Sequence, residues 1–343
     1  MTNYCPDQKK FTPCQTNGQN DRYCIHEEGS DIAFVNSAMP LSRFLLSGAS
    51  GMLGSALREA MAARQMAILQ LVRHPPADHI HVQWDPGTPP AITQPDALED
   101  LTAAIHFSGA NLAAHRWTES YKQEILRSRI ESTRALAATL ARLRHPPKML
   151  LVASAAGIYG DRGDELLDET SQPGTGFLAD LCKQWEAASR PAAHVGIRVV
   201  HLRFGMVLSR GGGAFARMLP WFRLGLGSRF GSGNQYVSWI ALSDAIAAIL
   251  FLLESPSAAG AYNVTAPNPV TNAQFTRFLA GYLHRPAFLS APAFALRLGL
   301  GEMADEALLS STRAYPARLV GAGFQFAAPS LVHALPVILA PKR

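Results

Sequence analysis

Phe44-Leu45-Leu46-Ser47-Gly48-Ala49-Ser50-Gly51-Met52-Leu53-Gly54 decides how this chain folds. A short apolar run ends in three glycines spaced G-x-x-G-x-x-G, and a helical pattern follows, with Leu53, Ala56, Leu57, Ala60 and Met61 on one face. Strand, glycine turn and helix open a dinucleotide-binding βαβ unit. Gly48 allows the tight turn off the strand, Gly51 lets the backbone approach a pyrophosphate, and Gly54 lets the helix pack close to the sheet. The helix N-terminus then presents its N–H groups and positive dipole end to the phosphates. Gly48, Ser50, Gly51, Met52, Leu53 and Gly54 are therefore expected to hold a cofactor.

Outward from this stretch, strand and helix alternate. The pattern predicts strands at Arg43–Ser47, Ala67–Val72, His79–Trp84, Ala103–Phe107, Met149–Ala153 and Ile197–Leu202, and helices at Met52–Arg64, Thr118–Leu143 and Phe177–Ala188. Such an order predicts an α/β fold, a doubly wound parallel Rossmann-type sheet whose ligand lies past the carboxyl ends of the strands. The second strand ends in Arg73-His74. An NAD site places an acidic residue here, ~20 residues after the glycines. A cation with no carboxylate beside it suits a ribose 2′-phosphate, so Arg73 points to NADP(H) over its reading as a solvated loop residue. Ser108-Gly109-Ala110, after the fourth strand, reads as a turn that lets a ribose pass, or as a plain turn. Glu124 and Arg129 on the long helix read as solvated charges or as groups aimed into the cleft.

Past Val207 the alternation fades into helices 214–224, 245–253, 272–283 and 294–300, with short strands at 236–240 and 262–265 between. Ser243 and Asp244 are expected to cap the third-from-last of these, and Thr271 the next. The domain reading is an extension over 1–39, a nucleotide-binding domain over 40–210, and a smaller substrate-side α/β lobe over 211–335, its last part starting near 284. The extension is polar and carries Cys5, Cys14 and Cys24 without a metal-ligand spacing, so it is expected to be disordered and no metal site is expected.

The 343 residues suffice for a large core. Net charge is +5, yet no long Lys/Arg run appears, which argues against nucleic-acid or membrane binding. No apolar run approaches a membrane span or forms a signal sequence, and the cytoplasm is the expected compartment.

The chain resembles the atypical, epimerase-like group of extended short-chain dehydrogenases/reductases that end in a small C-terminal domain of unknown function. The glycine stretch, Arg116-Trp117-Thr118-Glu119, Ile158-Tyr159-Gly160-Asp161, Lys183-Gln184-Trp185-Glu186, Thr265-Ala266-Pro267-Asn268-Pro269-Val270-Thr271-Asn272 and Gly301-Glu302-Met303-Ala304-Asp305-Glu306 carry the resemblance, which covers about residues 41–335. It implies an NADP-binding core held by the glycine loop, Arg73, Phe107, Ser108, Glu124, Arg129 and Val207, and an oxidoreductase or epimerase acting on a small polar substrate such as a sugar nucleotide. It also implies a homodimer.

Hydride-transferring members use Tyr-x-x-x-Lys on the helix after the fifth strand, where the Lys lowers the Tyr pKa, with a Ser or Thr orienting the substrate. Here Lys183 has Ala179 four residues before it, and Tyr159 is followed at that spacing by Gly163. Tyr159, Ser154 and Lys183 remain the catalytic candidates. The missing pair also supports a non-catalytic alternative, an NADPH-binding sensor or partner-binding protein.

Overall fold

The computed structural model describes residues 42–340 apart from Ala77, together with a two-residue antiparallel ladder between Gln15–Thr16 and Arg22–Tyr23. Contacts divide the chain into Met1–Leu41 and Ser42–Arg343. The expected disorder of 1–39 and its cysteines otherwise lie outside the described residues.

Seven parallel strands form the central sheet: β1 (Arg43–Ser47), β2 (Ala67–Val72), β3 (His81–Gln83), β4 (Ala103–His106), β5 (Met149–Ala155), β6 (Arg198–Phe204) and β7 (Gly260–Val264). Their order is β3-β2-β1-β4-β5-β6-β7, with the chain reversing direction across the sheet between β1 and β4. That reversal makes the crevice where doubly wound sheets bind ligands. β1 is fully internal: Leu45 stands opposite Leu69 of β2 and Ala104 of β4. Leu45, Leu46, Ala104, Leu150 and Leu151 have no exposed surface, as near-continuous apolar strands covered on both faces should. Helix α1 (Met52–Ala62) packs against α5 (Leu242–Glu254), and α2 (Glu119–Leu140) against α3 (Phe177–Ala187).

A second core joins Leu208, on the short strand Met206–Leu208, to Phe215 on α4 (Gly213–Arg223), Trp239, Phe275 on α6 (Asn272–Tyr282) and Leu335 on α8 (Leu331–Leu339). Helix α7 (Ala293–Leu300) also belongs to this part of the chain. Thr271 caps α6 in a reciprocal box with Gln274, as its position predicts.

Three differences from the sequence reading have physical causes. The sheet takes α5 and β7 from within 211–335, so the nucleotide-binding layer does not end at residue 210. Asp244 is not a cap: α5 starts at Leu242, and the buried Asp244 carboxylate accepts N–H bonds from Ala327 and Ala328. The strand expected at 236–240 breaks at Ser238, whose hydroxyl donates to the Thr312 carbonyl and accepts from the Ala314 N–H. Among the described residues no helix is long and apolar enough to cross a membrane.

Candidate functional site

The glycine loop is built so that no side chain fits. Gly48 has φ +69°, and a Cβ there would stand 2.9 Å from the Phe107 carbonyl carbon. A Cβ on Gly54 would stand 2.1 Å from the Gly48 oxygen, so the first turn of α1 is seated against the loop backbone. The Gly51 N–H closes the turn on the Gly48 carbonyl at 3.0 Å. No side chain caps α1 and no acidic residue stands in its first turn. Its N-terminal N–H groups and dipole are thus kept for an external anion. Ser50 is exposed and Leu53 half-buried.

The floor under the loop is a buried polar relay. The Ser47 hydroxyl lies 2.6 Å from His106 Nδ1 and accepts from the Phe107 N–H at 3.2 Å, while His106 Nε2 lies 3.1 Å from the Ser132 hydroxyl of α2. Burial pushes the His106 pKa down to about 3, so the imidazole is neutral and links β1, β4 and α2 without carrying charge. Phe107 and Ser108 are thereby brought against Gly48.

Next to them, Gly109 gives room to Arg129: a Cβ there would lie 3.2 Å from the guanidinium carbon. Arg129 is buried, stacks over Trp185 at 5.2 Å and donates to the Ala110 carbonyl at 2.9 Å. It makes no ion pair among the described residues, and burial lowers its pKa to about 10. An uncompensated buried cation is costly unless an anion arrives. Glu124, one turn away, is exposed. On the other side, Met52 lies 3.4 Å from the Cβ positions of Gly212 and Gly213, beside the buried Val207. Arg73 stands exposed past the end of β2. The next carboxylate, Asp78, is engaged by His81 and the Ile80 N–H. The structure thus joins Gly48, Gly54, Met52, Phe107, Ser108, Gly109, Arg129 and Val207 through direct contacts, with Arg73 at the rim.

The catalytic candidates do other work. Tyr159 has no exposed surface; its hydroxyl lies 2.9 Å from the Asp168 carbonyl and 2.8 Å from Asn263 Oδ1, and accepts from Arg203 Nη1 at 3.0 Å. Burial raises its pKa despite Arg203, and its hydroxyl is engaged by these three protein groups. Ser154 is buried and donates to Glu186 at 2.8 Å. Lys183 pairs with Asp180 at 2.6 Å and, with Glu186, His201 and Arg203, lines a cavity of about 430 Å³ over β6. The part of α3 against the turn after β5 instead carries Leu178, 3.4 Å from the Cβ position of Gly157, and the buried Cys182. These two residues hold the i, i+4 spacing one position ahead of Lys183. Neither holds a ribose hydroxyl; burial pushes the Cys182 thiol up to about 12.

One contributor escapes the sequence reading. Glu306, far along the chain, accepts the N–H groups of Phe177 and Leu178 at 3.2 and 3.1 Å and so caps α3. Gly176, at φ +105°, makes room for it: a Cβ there would lie 2.4 Å from the carboxylate. The signal was the glycine-led entry to α3 without a capping side chain. Lys122 on α2 pairs with Glu302 at 2.9 Å, and Arg116 donates to the Leu298 carbonyl at 3.2 Å. Residues 298–306 are therefore fastened to α2, α3 and the loop before α2.

Comparison with known proteins agrees with this geometry. Residues 44–265 match the NAD dependent epimerase/dehydratase family, and residues 291–336 match a domain of unknown function, DUF1731. An epimerase family protein of Mycobacterium leprae is 44% identical over 281 residues, 82% of this chain and 90% of that protein. The human epimerase family protein SDR39U1, in a crystal structure with NADPH, superposes with a TM-score of 0.79 at 32% identity, covering 86% of this chain and 98% of that one. UDP-N-acetylglucosamine 4-epimerase from Bacillus cereus shares the fold, with a TM-score of 0.68 at 14% identity and 88% and 98% coverage. With its glycine loop at the reversal of a seven-stranded parallel sheet, and with these matches, the chain belongs to the NAD dependent epimerase/dehydratase family.

Proposed function

We propose that the chain is an NADP(H)-dependent oxidoreductase or epimerase acting on a small polar substrate, with sugar nucleotides as the first class to test. The observation that carries the cofactor is the glycine loop itself: a Cβ on Gly54 would strike the Gly48 oxygen, so α1 starts tight against the loop, and its N-terminus carries no side-chain cap. The choice of NADP(H) over NAD(H) rests on the exposed Arg73 with no free carboxylate beside it, and is supported by the NADPH in the human relative's structure. Gly48, Ser50, Gly51, Met52, Leu53 and Gly54 would hold the pyrophosphate, Arg73 the 2′-phosphate, and Phe107, Ser108, Gly109, Arg129 and Val207 the remainder. The bound dinucleotide would supply hydride transfer; the protein supplies placement. The sugar-nucleotide class is supported by relatives of the same fold such as the UDP-N-acetylglucosamine 4-epimerase.

A second reading is favoured by one observation: Leu178 and Cys182 stand on α3 against the β5 turn, and Tyr159 is spent on Arg203, Asn263 and Asp168. A cleft without the usual proton donor suits a non-catalytic NADPH sensor. Titration calorimetry with NADPH and NADH, followed by nicotinamide absorbance with a panel of sugar nucleotides, separates the two. Binding with consumption supports the enzyme, and binding without consumption across the panel supports the sensor. No binding of either nucleotide removes both.

A further inference from the structure

From Gly205 to Leu300 the sequence carries seven arginines and only two carboxylates, Asp244 and Glu254. Asp244 is buried on Ala327 and Ala328, and Glu254 pairs with Arg64 at 2.8 Å. Arg297 pairs with Asp305, just past this stretch, at 2.9 Å, and the arginines left over make the outer surface of this region cationic. It is also apolar. Trp221, Leu224, Phe288, Phe294 and Leu298 are 60 to 80% exposed, although an aromatic side chain alone can bury about 150 Å² or more in a partner.

The fold brings these residues to one region. The Leu226 N–H bonds the Trp221 carbonyl at the end of α4, and the Cβ position of Gly225 lies 3.4 Å from the Pro286 ring. Ser228–Phe230 and Leu289–Ala291 then pair in parallel, with Arg229 opposite Ser290. Phe288 lies two residues before Ser290, and so on the same exposed side as Arg229. Two residues past this ladder begins α7, which has no buried residue. Phe294 and Leu298 share one of its faces at i, i+4. Arg223 and Arg285 are exposed among these groups and make no ion pair among the described residues.

We propose that this surface docks on an anionic lipid bilayer, the aromatic and leucine side chains entering the headgroup boundary and the arginines facing lipid phosphates. Aromatic and aliphatic groups bordered by arginine are the pattern of interfacial binding. Charge complementarity decides against a second copy. A two-fold interface would set Arg223, Arg229 and Arg285 against their own copies, while the carboxylates that follow α7, Glu302 and Asp305, are already paired with Lys122 and Arg297. The sequence shows these arginines as scattered; the ladder and the ends of α4 and α7 collect them.

The test is flotation of the full chain with vesicles of phosphatidylcholine alone and of phosphatidylcholine with phosphatidylglycerol. The chain should float with the anionic vesicles only, and less in high salt. Phe288→Ser/Phe294→Ser/Leu298→Ser should weaken flotation at least about tenfold. Arg223→Glu/Arg285→Glu should weaken it about tenfold or more. Circular-dichroism melting of each variant, unchanged because the substituted groups are exposed, shows that the fold is kept. Flotation unaffected by either variant, or equal on neutral vesicles, overturns the proposal. So does a chain that stays unbound and sediments as a dimer which the apolar variant dissociates, because a second copy then covers the face.

Discussion

Arg203 grips Glu186 with two hydrogen bonds, Nε to Oε1 at 2.8 Å and Nη2 to Oε2 at 3.0 Å, and gives its remaining nitrogen to the Tyr159 hydroxyl. Burial would raise the Glu186 pKa, but the guanidinium holds it below the ordinary carboxylate value, so the pair is charged inside the protein. The two residues lock α3 to β6 and, through Tyr159, to the turn that closes β5.

Removing one partner leaves the other charged and buried. Arg203→Leu should cost about 3–5 kcal/mol of stability. Arg203→Leu/Glu186→Leu should cost less than the single change. Urea unfolding of both variants reads this directly; a single variant as stable as the parent would show that the ion pair does nothing for the fold.

Tyr159→Phe tests the assignment of this residue to structure. Loss of a hydroxyl bonded to Arg203, Asn263 and Asp168 should cost about 1–3 kcal/mol. NADPH affinity should stay within about twofold, since a factor of ten would require ~1.4 kcal/mol. A large loss of affinity with unchanged melting would return Tyr159 to the ligand site.

His106 makes stability depend on acid. Its folded pKa, about 3, lies below the ordinary 6.5, so the unfolded chain binds the proton first. The stability of the neutral form is complete above pH 6.5 and is lost as pH falls towards 3. From pH 6.5 to pH 5 the loss should approach about 2 kcal/mol. His106→Gln should flatten that part of the profile; an unchanged profile would place the titrating group elsewhere.

Arg73→Glu separates the two dinucleotides. If Arg73 holds the 2′-phosphate as proposed, a carboxylate there should weaken NADPH by about ten- to a hundredfold and leave NADH nearly unchanged. Calorimetry with both ligands gives the ratio, and equal losses would end the 2′-phosphate role.

Gly54→Ala tests the cradle. The added Cβ would meet the Gly48 oxygen at 2.1 Å, so α1 must shift away from the loop. Nucleotide binding should fall at least tenfold, with about 1–3 kcal/mol of lost stability. A variant that binds and melts like the parent would mean that α1 can move without disturbing the site.

What the sequence reveals here follows from how local each cause is. Gly48 to Gly54 is a contiguous stretch whose function depends on its own backbone, and its position on β1 and α1 is as read. Thr271 caps α6 through Gln274, three residues away, and is as read too. Asp244 has the same local look as a cap, but its partners lie at Ala327 and Ala328. Lys183 was one position out of phase with the part of α3 that meets the β5 turn, and a helical phase error of one residue turns a side chain by about 100°. Tyr159 has the look of a catalytic residue because phenol chemistry is visible in a sequence, whereas Arg203 and Asn263, which consume it, come from distant strands.

The cap that Glu306 places on α3 has a temporal side. Its acceptor oxygens emerge from the ribosome about 130 residues after the N–H groups they satisfy. Until then the start of α3 is held by solvent, and the parallel ladder between Leu166–Leu167 and Arg313–Ala314 is equally unmade. Contacts of such sequence separation form late. The nucleotide half therefore completes its cleft only once residues 306 to 314 have emerged, so a chain truncated before residue 306 would have a sheet but an unfinished wall.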